Sequence, residues 1–473
     1  MTTHRPLWTQ DEAARATGGR AEGHWSADGV SIDSRTVQPG DLFVALRGPT
    51  HDGHDHVAAA LEAGAAAAVV HRVPDGVDPA RLLVVDDTFD ALSALGRFAR
   101  DRAGGARVIG VTGSVGKTGT KEMLALALGA LGPTHSTQGN LNNHWGVPLT
   151  LARMAADTAH AVIEMGMNHA GEIEPLSRLT RPHVAVITAI APAHIEFLGS
   201  EEAIADAKAE IFAGLEPGGT AILPRDSRHI RRLRKAALAA GAGRVVGFGA
   251  HPEANARLLD LALDPGNTRV FMVADGAPLG YRLAAEGRHW AINSLAVIAA
   301  VQAVGGDPAR TLAALGRIAP PKGRGQRGEI HMPGGRLHLI DESYNASPAS
   351  VKAAVATLAL ARPDPGGRRV AVLGDMLELG ALAPALHADL ATTMMEHGVD
   401  MVFTAGPLMA HLHDSLPTRL RAGHAPTAED LASQVAAAVR PGDVVMVKGS
   451  LGSRMNRVVG ALLTLQDAEG TAA

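Results

Sequence analysis

The segment Val111-Thr-Gly-Ser-Val-Gly-Lys-Thr118 constrains this chain more than any other. It follows the apolar run Arg107-Val-Ile-Gly-Val111, which reads as a buried strand, and precedes a helical pattern from about Thr118 to Leu131. A glycine-rich turn between a strand and a helix opens a β–loop–α unit. Its glycines let backbone N–H groups converge on an anion, and the helix N-terminus adds a favourable dipole. Gly113, Ser114, Val115, Gly116, Lys117 and Thr118 are therefore candidate phosphate contacts. Lys117 would reach the β/γ-phosphates, and the Thr118 hydroxyl is available to Mg2+. The strict pattern wants glycine five positions before Gly116, where Val111 stands, so the flanking strand and helix carry the assignment to an ATP or GTP site.

The remaining sequence extends this α/β reading. Short apolar runs at Asp41–Leu46, Ala67–Val70, Ala161–Ile163, Val184–Thr188 and Thr220–Leu223 read as strands, with turns or helical patterns between them. After Ala319-Pro-Pro-Lys322, where two prolines mark a linker, come Leu337–Ile340, Arg369–Leu373, Met401–Thr404 and Val444–Val447. Strands alternating with helices predict parallel sheets. At 473 residues the length suits about three domains. We expect them at 1–105, 106–322 and 323–473, the central one a phosphate-loop (P-loop) ATPase-like parallel sheet.

Several classes of function are disfavoured. The absence of cysteine excludes disulfide frameworks, iron–sulfur clusters, cysteine-ligated zinc and thiol catalysis, and is compatible with the cytosol. The first residues lack the apolar run of a signal peptide, and no run of about 18 uncharged apolar residues predicts a membrane span. With 44 basic and 48 acidic residues the net charge is -4, against the basic balance of a nucleic-acid binder. The run Arg228–Lys235 reads as a solvated helix face. Gly323-Arg-Gly-Gln-Arg-Gly328 matches a dinucleotide fingerprint in letters, but it follows Pro-Pro-Lys and precedes Pro333-Gly-Gly335 rather than a helix. His51, His54 and His56 with Asp52 and Asp55 read as a solvent-facing or substrate-contact loop rather than a metal cluster.

Beyond the phosphate loop the order of motifs resembles the Mur ligases of bacterial cell-wall synthesis over nearly the full length. The matching segments are Asp33-Ser-Arg35, Asp52-Gly-His54, Thr112–Thr118, Gly139-Asn-Leu-Asn-Asn-His-Trp-Gly-Val-Pro148 and Glu164-Met-Gly-Met-Asn168. Then follow Ala193-His-Ile-Glu196, Ala207-Lys-Ala-Glu210, His289-x-x-x-Asn293 and Lys448-Gly-Ser450. Asp341-Glu-Ser-Tyr-Asn-Ala-Ser-Pro348 and Leu373-Gly-Asp-Met-Leu-Glu-Leu-Gly380 look like the branch that adds D-alanyl-D-alanine to UDP-N-acetylmuramoyl tripeptide. The Asp-Asn-Pro-Arg of the diamino-acid-adding branch is missing.

The resemblance implies an ATP-dependent amide ligase acting through an acyl phosphate, in the last cytoplasmic step of the peptidoglycan precursor. It implies an N-terminal UDP-substrate domain, a central ATPase and a C-terminal Rossmann-like domain. Lys117, Glu164, His194 and Lys208 would be catalytic, with Thr118, Glu164, His194 and Lys208 holding two Mg2+ and Lys208 carrying CO2 as a carbamate. Taken alone, Lys208 reads as a surface lysine on a helix with Glu210 close by, and His194 as a loop histidine. Asn293, Arg324 or Arg327, Asp341, Tyr344 and Asn345 would contact the nucleotide, and Ser34, Arg35, Asn142, Asn143 and His144 the UDP-sugar peptide. The expected protein is a cytoplasmic monomer without nucleic-acid partners. The sequence departs from the family pattern at His144 and Trp145, Ala189 and Ala191, Trp290, and Ser347. Competing readings are a diamino-acid-adding Mur ligase, a folylpolyglutamate synthase-like ligase, and a nucleotide-binding regulator without turnover.

Overall fold

The structure, a computed structural model, describes residues 5–193, 195–264 and 266–466. His194 lies outside the described residues. Three large sheets follow one another along the chain, beside a two-stranded pairing of Trp8–Thr9 with Ser26–Ala27. The first has five strands in the spatial order Arg20–Ala21, Leu82–Val84, Ala67–Val70, Asp41–Val44 and Gly29–Ser31, parallel except at the Arg20 edge. The second has nine. Its parallel part runs Thr134–Ser136, His160–Glu164, Arg107–Thr112, Val184–Ile187, Thr220–Pro224, Arg244–Gly249 and Ala256–Asp264. The third has six strands centred on Val444–Lys448, flanked by Gly335–Glu342 and Arg369–Gly374.

Two features correct the all-parallel expectation. The central sheet continues into an antiparallel meander, Ala256–Asp264, Asn267–Ala274 and Ala277–Leu283. Along Asn267–Ala274 burial alternates residue by residue for most of the strand, the pattern of a sheet with one wet face, although Val270–Ala274 is itself a continuous apolar run that the sequence reading did not take as a strand. The third sheet opens with the hairpin Gln326–Met332/Gly335–Glu342, turned at Gly334 (φ +88) and Gly335. The segment after the fingerprint-like glycines is thus a strand, not the helix a dinucleotide site needs.

The basic run lies mostly in helix Ile230–Ala239, where Arg232 pairs with Asp206, while Arg228 just ahead of it pairs with Glu201. His54 is a correction. It is 4% exposed, its Nδ1 bonds Asp52 Oδ1 at 2.7 Å, and its Nε2 accepts the His71 N–H at 3.0 Å. It is a buried strut under a short turn, Gly53–His56, not part of a solvent-facing loop.

The first and second sheets share one hydrophobic core that runs from Trp8 to Ala242. Trp8 Nε1 donates to Ala152 O (2.9 Å), and Arg100 Nε to Thr180 O (3.0 Å). Helix Thr88–Arg102 packs on helix Gly146–Ala152 at Gly96, where a Cβ would fall 2.9 Å from Pro148 O. The third sheet has separate cores on its two faces, so far less apolar surface binds it to the rest. Among the described residues no helix is long and apolar enough to cross a membrane.

Candidate active site

The phosphate loop leaves strand Arg107–Thr112 at its carboxyl end and enters helix Lys117–Gly129. Gly116 adopts the left-handed conformation at the helix N-cap (φ +84), and no side chain caps that helix. Its first N–H groups are thereby left for an anion. The neighbouring strand end braces the loop. Thr188 Oγ1 donates to Val115 O (2.6 Å), Ser114 N–H to Ala189 O (2.8 Å), and Ser114 Oγ exchanges bonds with both N–H and O of Ala191. At Gly113 (φ +150) any Cβ would run into the Thr188 hydroxyl.

Lys117 Nζ rests on Gly113 O at 2.7 Å. Burial holds its pKa below the ordinary lysine value; Arg324 lowers it further and Glu164 works against both. Thr118 Oγ1 donates to Glu164 Oε1 (3.3 Å), which also accepts Asn142 Nδ2 (2.8 Å). The second oxygen, Oε2, is shut from solvent with no hydrogen-bond partner in the structure.

Lys208 overturns the surface reading. It sits in the last turn of helix Glu201–Ala209, 0% exposed, and its Nζ has no hydrogen-bond partner. Desolvation, then the charge of Lys117, drive its pKa well below that of a free lysine. Glu210, the expected neighbour, works against both from nearby, and it also caps helix Ile173–Thr180 by accepting the N–H groups of Gly171, Ile173 and Glu174.

Other predicted residues divide. Asn293 comes against the loop: a Cβ on Gly116 would lie 2.6 Å from its Nδ2. Arg324 lies over the Tyr344 ring, 4.4 Å from its centroid, and Gly323 (φ +72) allows the close approach of Tyr344. Arg327 turns away to pair with the buried Glu286 of the central unit. Asp341 Oδ1 accepts Ser343 N–H and Oγ, and Asn345 Oδ1 accepts Ala346 N–H within its own turn. Asn143 Oδ1 accepts the N–H groups of Trp145 and Gly146 at the start of a helix.

His144 is exposed, edge-on to Phe89 (6.0 Å) and Trp145 (5.1 Å), in a corner that also meets Gly48. Neither Ser34 nor the largely exposed Arg35, which pairs with Asp33 at 2.7 Å, lines the cleft of about 640 Å3 that opens beside them in the chain. Asp33, Thr36, Gln138, Leu141 and Arg153 are among the residues that line it. The sequence reading missed Thr188 and Thr137, whose Oγ1 accepts the Glu164 N–H (3.0 Å), and it singled out but gave no role to the buried Lys448, which donates to Glu342 Oε2 and Asn345 O. Thr188 and Thr137 each follow a strand of the central sheet at its carboxyl end, the place where open α/β sheets carry their ligands, and that rule was the available signal.

Three family models cover the chain: Mur ligase family, catalytic domain, at residues 26–101; Mur ligase middle domain at 111–301; and Mur ligase, glutamate ligase domain, at 323–451. The UDP-N-acetylmuramoyl-tripeptide--D-alanyl-D-alanine ligase of Bacillus subtilis (strain 168) is 36% identical over 440 residues, 92% of this chain and 93% of that protein. A crystal structure of MurF from Acinetobacter baumannii superposes with a TM-score of 0.83 at 30% identity, over 97% of this chain and 99% of that one. MurF ligase from Thermotoga maritima in complex with ADP gives 0.76 at 28%, over 92% and 97%.

Proposed function

The chain belongs to the Mur ligase family, and on that premise we propose how its site works as an ATP-dependent ligase joining D-alanyl-D-alanine to UDP-N-acetylmuramoyl tripeptide. One observation carries the site reading: two buried polar atoms, Glu164 Oε2 and Lys208 Nζ, stand without partners next to a phosphate loop. Buried polar groups are nearly always satisfied, so such orphans point to groups that arrive with the reactants.

A carboxylate is a poor acyl donor, and ATP activates it. The tripeptide's terminal carboxylate attacks the γ-phosphorus, the P–O bond to ADP breaks, and an acyl phosphate forms. The dipeptide amine then attacks the acyl carbon, the C–N bond forms, the C–O bond to phosphate breaks, and the nitrogen sheds its proton. Lys117 and the loop N–H groups neutralise the phosphate oxygens and fix them in line. Arg324 rather than Arg327 serves the nucleotide, because its charge already reaches Lys117 while Arg327 is engaged with Glu286. Asn293 and Tyr344 would frame the base and ribose, with Asp341 and Asn345 shaping that loop. Ser34, Arg35, Asn142, Asn143 and His144 remain the proposed contacts of the UDP-sugar peptide.

Among the described residues no three His, Asp or Glu side chains lie close enough to hold a metal ion. A carboxylated Lys208 would add an anion to Glu164 there. Its depressed pKa favours the neutral amine, the form of Lys208 that would carry CO2 as a carbamate. Thr118, Glu164, His194 and that carbamate would hold Mg2+, which supplies charge neutralisation at the phosphates when bound. The three units, 1–105, 106–322 and 323–473, work as a fixed pair and a third body hinged near Ala319–Gly323. Separate cores in the third unit support that division. We assign the enzyme to the cytoplasm as a monomer, consistent with its cysteine-free sequence and ATP dependence.

Phosphate release with ATP and Mg2+ tests the reading against three acceptor pairs, with product masses measured. They are UDP-muramoyl tripeptide with D-alanyl-D-alanine, UDP-muramoyl dipeptide with a diamino acid, and reduced folate with glutamate. Turnover with the first pair alone is expected. Turnover with another pair overturns the substrate assignment, and silence with all three overturns catalysis.

A further inference from the structure

One buried cation takes no part in the chemistry assigned to the site. Lys448 ends strand Val444–Lys448 at the centre of the third sheet and is 3% exposed. An ammonium leaves water only where anions and carbonyls replace its hydration. Here Nζ donates to Glu342 Oε2 (3.1 Å) and to Asn345 O (2.9 Å). Glu342 ends the neighbouring parallel strand Gly335–Glu342, level with Lys448, and Asn345 lies in the turn that follows it. Two residues beyond Lys448, Ser450 Oγ donates to Ala346 O (3.4 Å), so the end of one strand grips the turn leaving the other at successive points.

That turn holds Arg324. Tyr344 N–H donates to Gly323 O (3.1 Å) and Gly325 N–H to Asp341 O (2.8 Å), so the residues on both sides of Arg324 are tied to the 341–345 segment. The Arg324 guanidinium lies over the Tyr344 ring. Gly325 (φ +97) passes so close that a Cβ would fall 3.2 Å from Glu342 Oε1, the carboxylate oxygen that Lys448 does not take. Arg324 therefore travels with the third unit, although it follows directly on the linker and its charge is felt at Lys117 of the central unit. On the central side, helix Arg288–Ala303 sets His289 near enough to feel both Glu342 and Lys448, and carries Asn293 against Gly116. The ammonium thus stands behind the turn that bears Asp341, Tyr344 and Asn345, where the two units meet.

We propose that Lys448 is a positioning residue for the nucleotide, one that sets the place of Arg324 through the 341–345 turn; the assignment rests on the ligase reading above. Lys448 touches no reactant. Its ammonium joins a side-chain carboxylate and a main-chain carbonyl three residues apart, a task for a compact cation whose three donors point in different directions. Without it the turn loses both fastenings, and the Tyr344 ring and the guanidinium stacked on it lose their fixed position. Because Lys448 works through Arg324, its removal weakens the nucleotide while that arginine is present and adds little once it is gone.

The test is a double-mutant cycle on ADP affinity, measured by calorimetry on the full chain with Mg2+ for wild type, Lys448→Met, Arg324→Ala and the pair. Each single variant is expected to weaken ADP about tenfold, the scale of one lost cation–aromatic contact. The pair should fall within about twofold of Arg324→Ala alone, since residues that act as one unit do not add. A loss of about 100-fold in the pair, the product of two independent effects, overturns the route through Arg324. Lys448→Met strands the Glu342 carboxylate and puts the fold at risk, so Glu342→Gln with Lys448→Met is the second variant. It removes both charges and still lacks the bond to Asn345 O; it should melt close to wild type and bind ADP as weakly as Lys448→Met. Wild-type ADP affinity in that variant overturns the positioning role, because a merely structural lysine would move the melting temperature alone. In steady state Lys448→Met should raise the ATP KM about tenfold and leave the UDP-tripeptide KM within about twofold, and a parallel rise in both also overturns it. A wild-type chain that binds no ADP overturns the ligase reading itself.

Discussion

Replacing Lys208 with methionine should move stability and activity in opposite directions. The unbranched methionine keeps most of the side-chain volume, so it opens little cavity in a site that is 0% exposed. What it removes is a buried amine without a partner, a group whose desolvation costs about 1–3 kcal/mol. In CO2-free buffer near neutral pH the variant should therefore be more stable by about 1–3 kcal/mol, with each kcal/mol raising Tm by roughly 2–4 °C.

The pH dependence has a definite sign. Between the lowered native pKa and 10.5 the unfolded chain binds the lysine proton and the native chain does not. Wild-type stability rises with pH across that window, so the variant's advantage should shrink toward pH 10.5. Ligase activity should fall at least about 100-fold, the scale of losing one preorganised charge-stabilising group. Thermal melts at several pH values, paired with phosphate release, make the measurement. A Lys208→Met protein that is less stable than wild type and keeps activity within tenfold would show that the amine makes a stabilising contact and carries no catalytic group.

Other outcomes follow from single contacts. Glu164→Gln should cut kcat about 100-fold or more and raise the Mg2+ concentration for half-activity, read by metal titration. Arg324→Ala should raise the ATP KM about tenfold, in line with a lost cation–aromatic and phosphate-side charge, while Arg327→Ala should leave it within about twofold. Arg327→Ala should instead lower stability by about 1–3 kcal/mol, because Glu286 stays buried without its cation. Equal nucleotide effects from both would sink the distinction. His54 and His387, whose pKa values burial lowers below 6.5, take up protons on unfolding that they refuse when folded. Stability should hence fall as pH drops through 6.5, and a Tm constant from pH 7.5 to 5 would contradict that.

How much of this was legible depended on how local each signal is. The phosphate loop announces itself within eight residues, and its strand and helix appear within two residues of the expected limits. Lys208 does not. Ala207-Lys-Ala-Glu210 carries no mark of which helix face is covered, and the Lys117 charge that adds to the effect of burial is distant in sequence; only family resemblance singled it out. Arg324 and Arg327 could not be separated by spacing, since the choice turns on Glu286, some 40 residues away. Asn143 looked like a sugar ligand and also spends its carbonyl on a helix start, a use open to asparagine wherever a helix follows. The antiparallel meander escaped although Val270-Phe-Met-Val-Ala274 runs apolar, because the letters do not say that only alternate residues of that strand are covered.

The bracing of the phosphate loop by residues 189–191 bears on how such a sequence can drift. Ser114 reaches Ala189 through a main-chain carbonyl and Ala191 through main-chain N–H and O, so neither alanine contributes its side chain to those bonds. Selection acting on this brace therefore reads the path of the backbone and is nearly blind to the letters at 189 and 191. Residue exchange there is neutral so long as the path survives, whereas at Thr188, whose hydroxyl itself makes the bond, it is not.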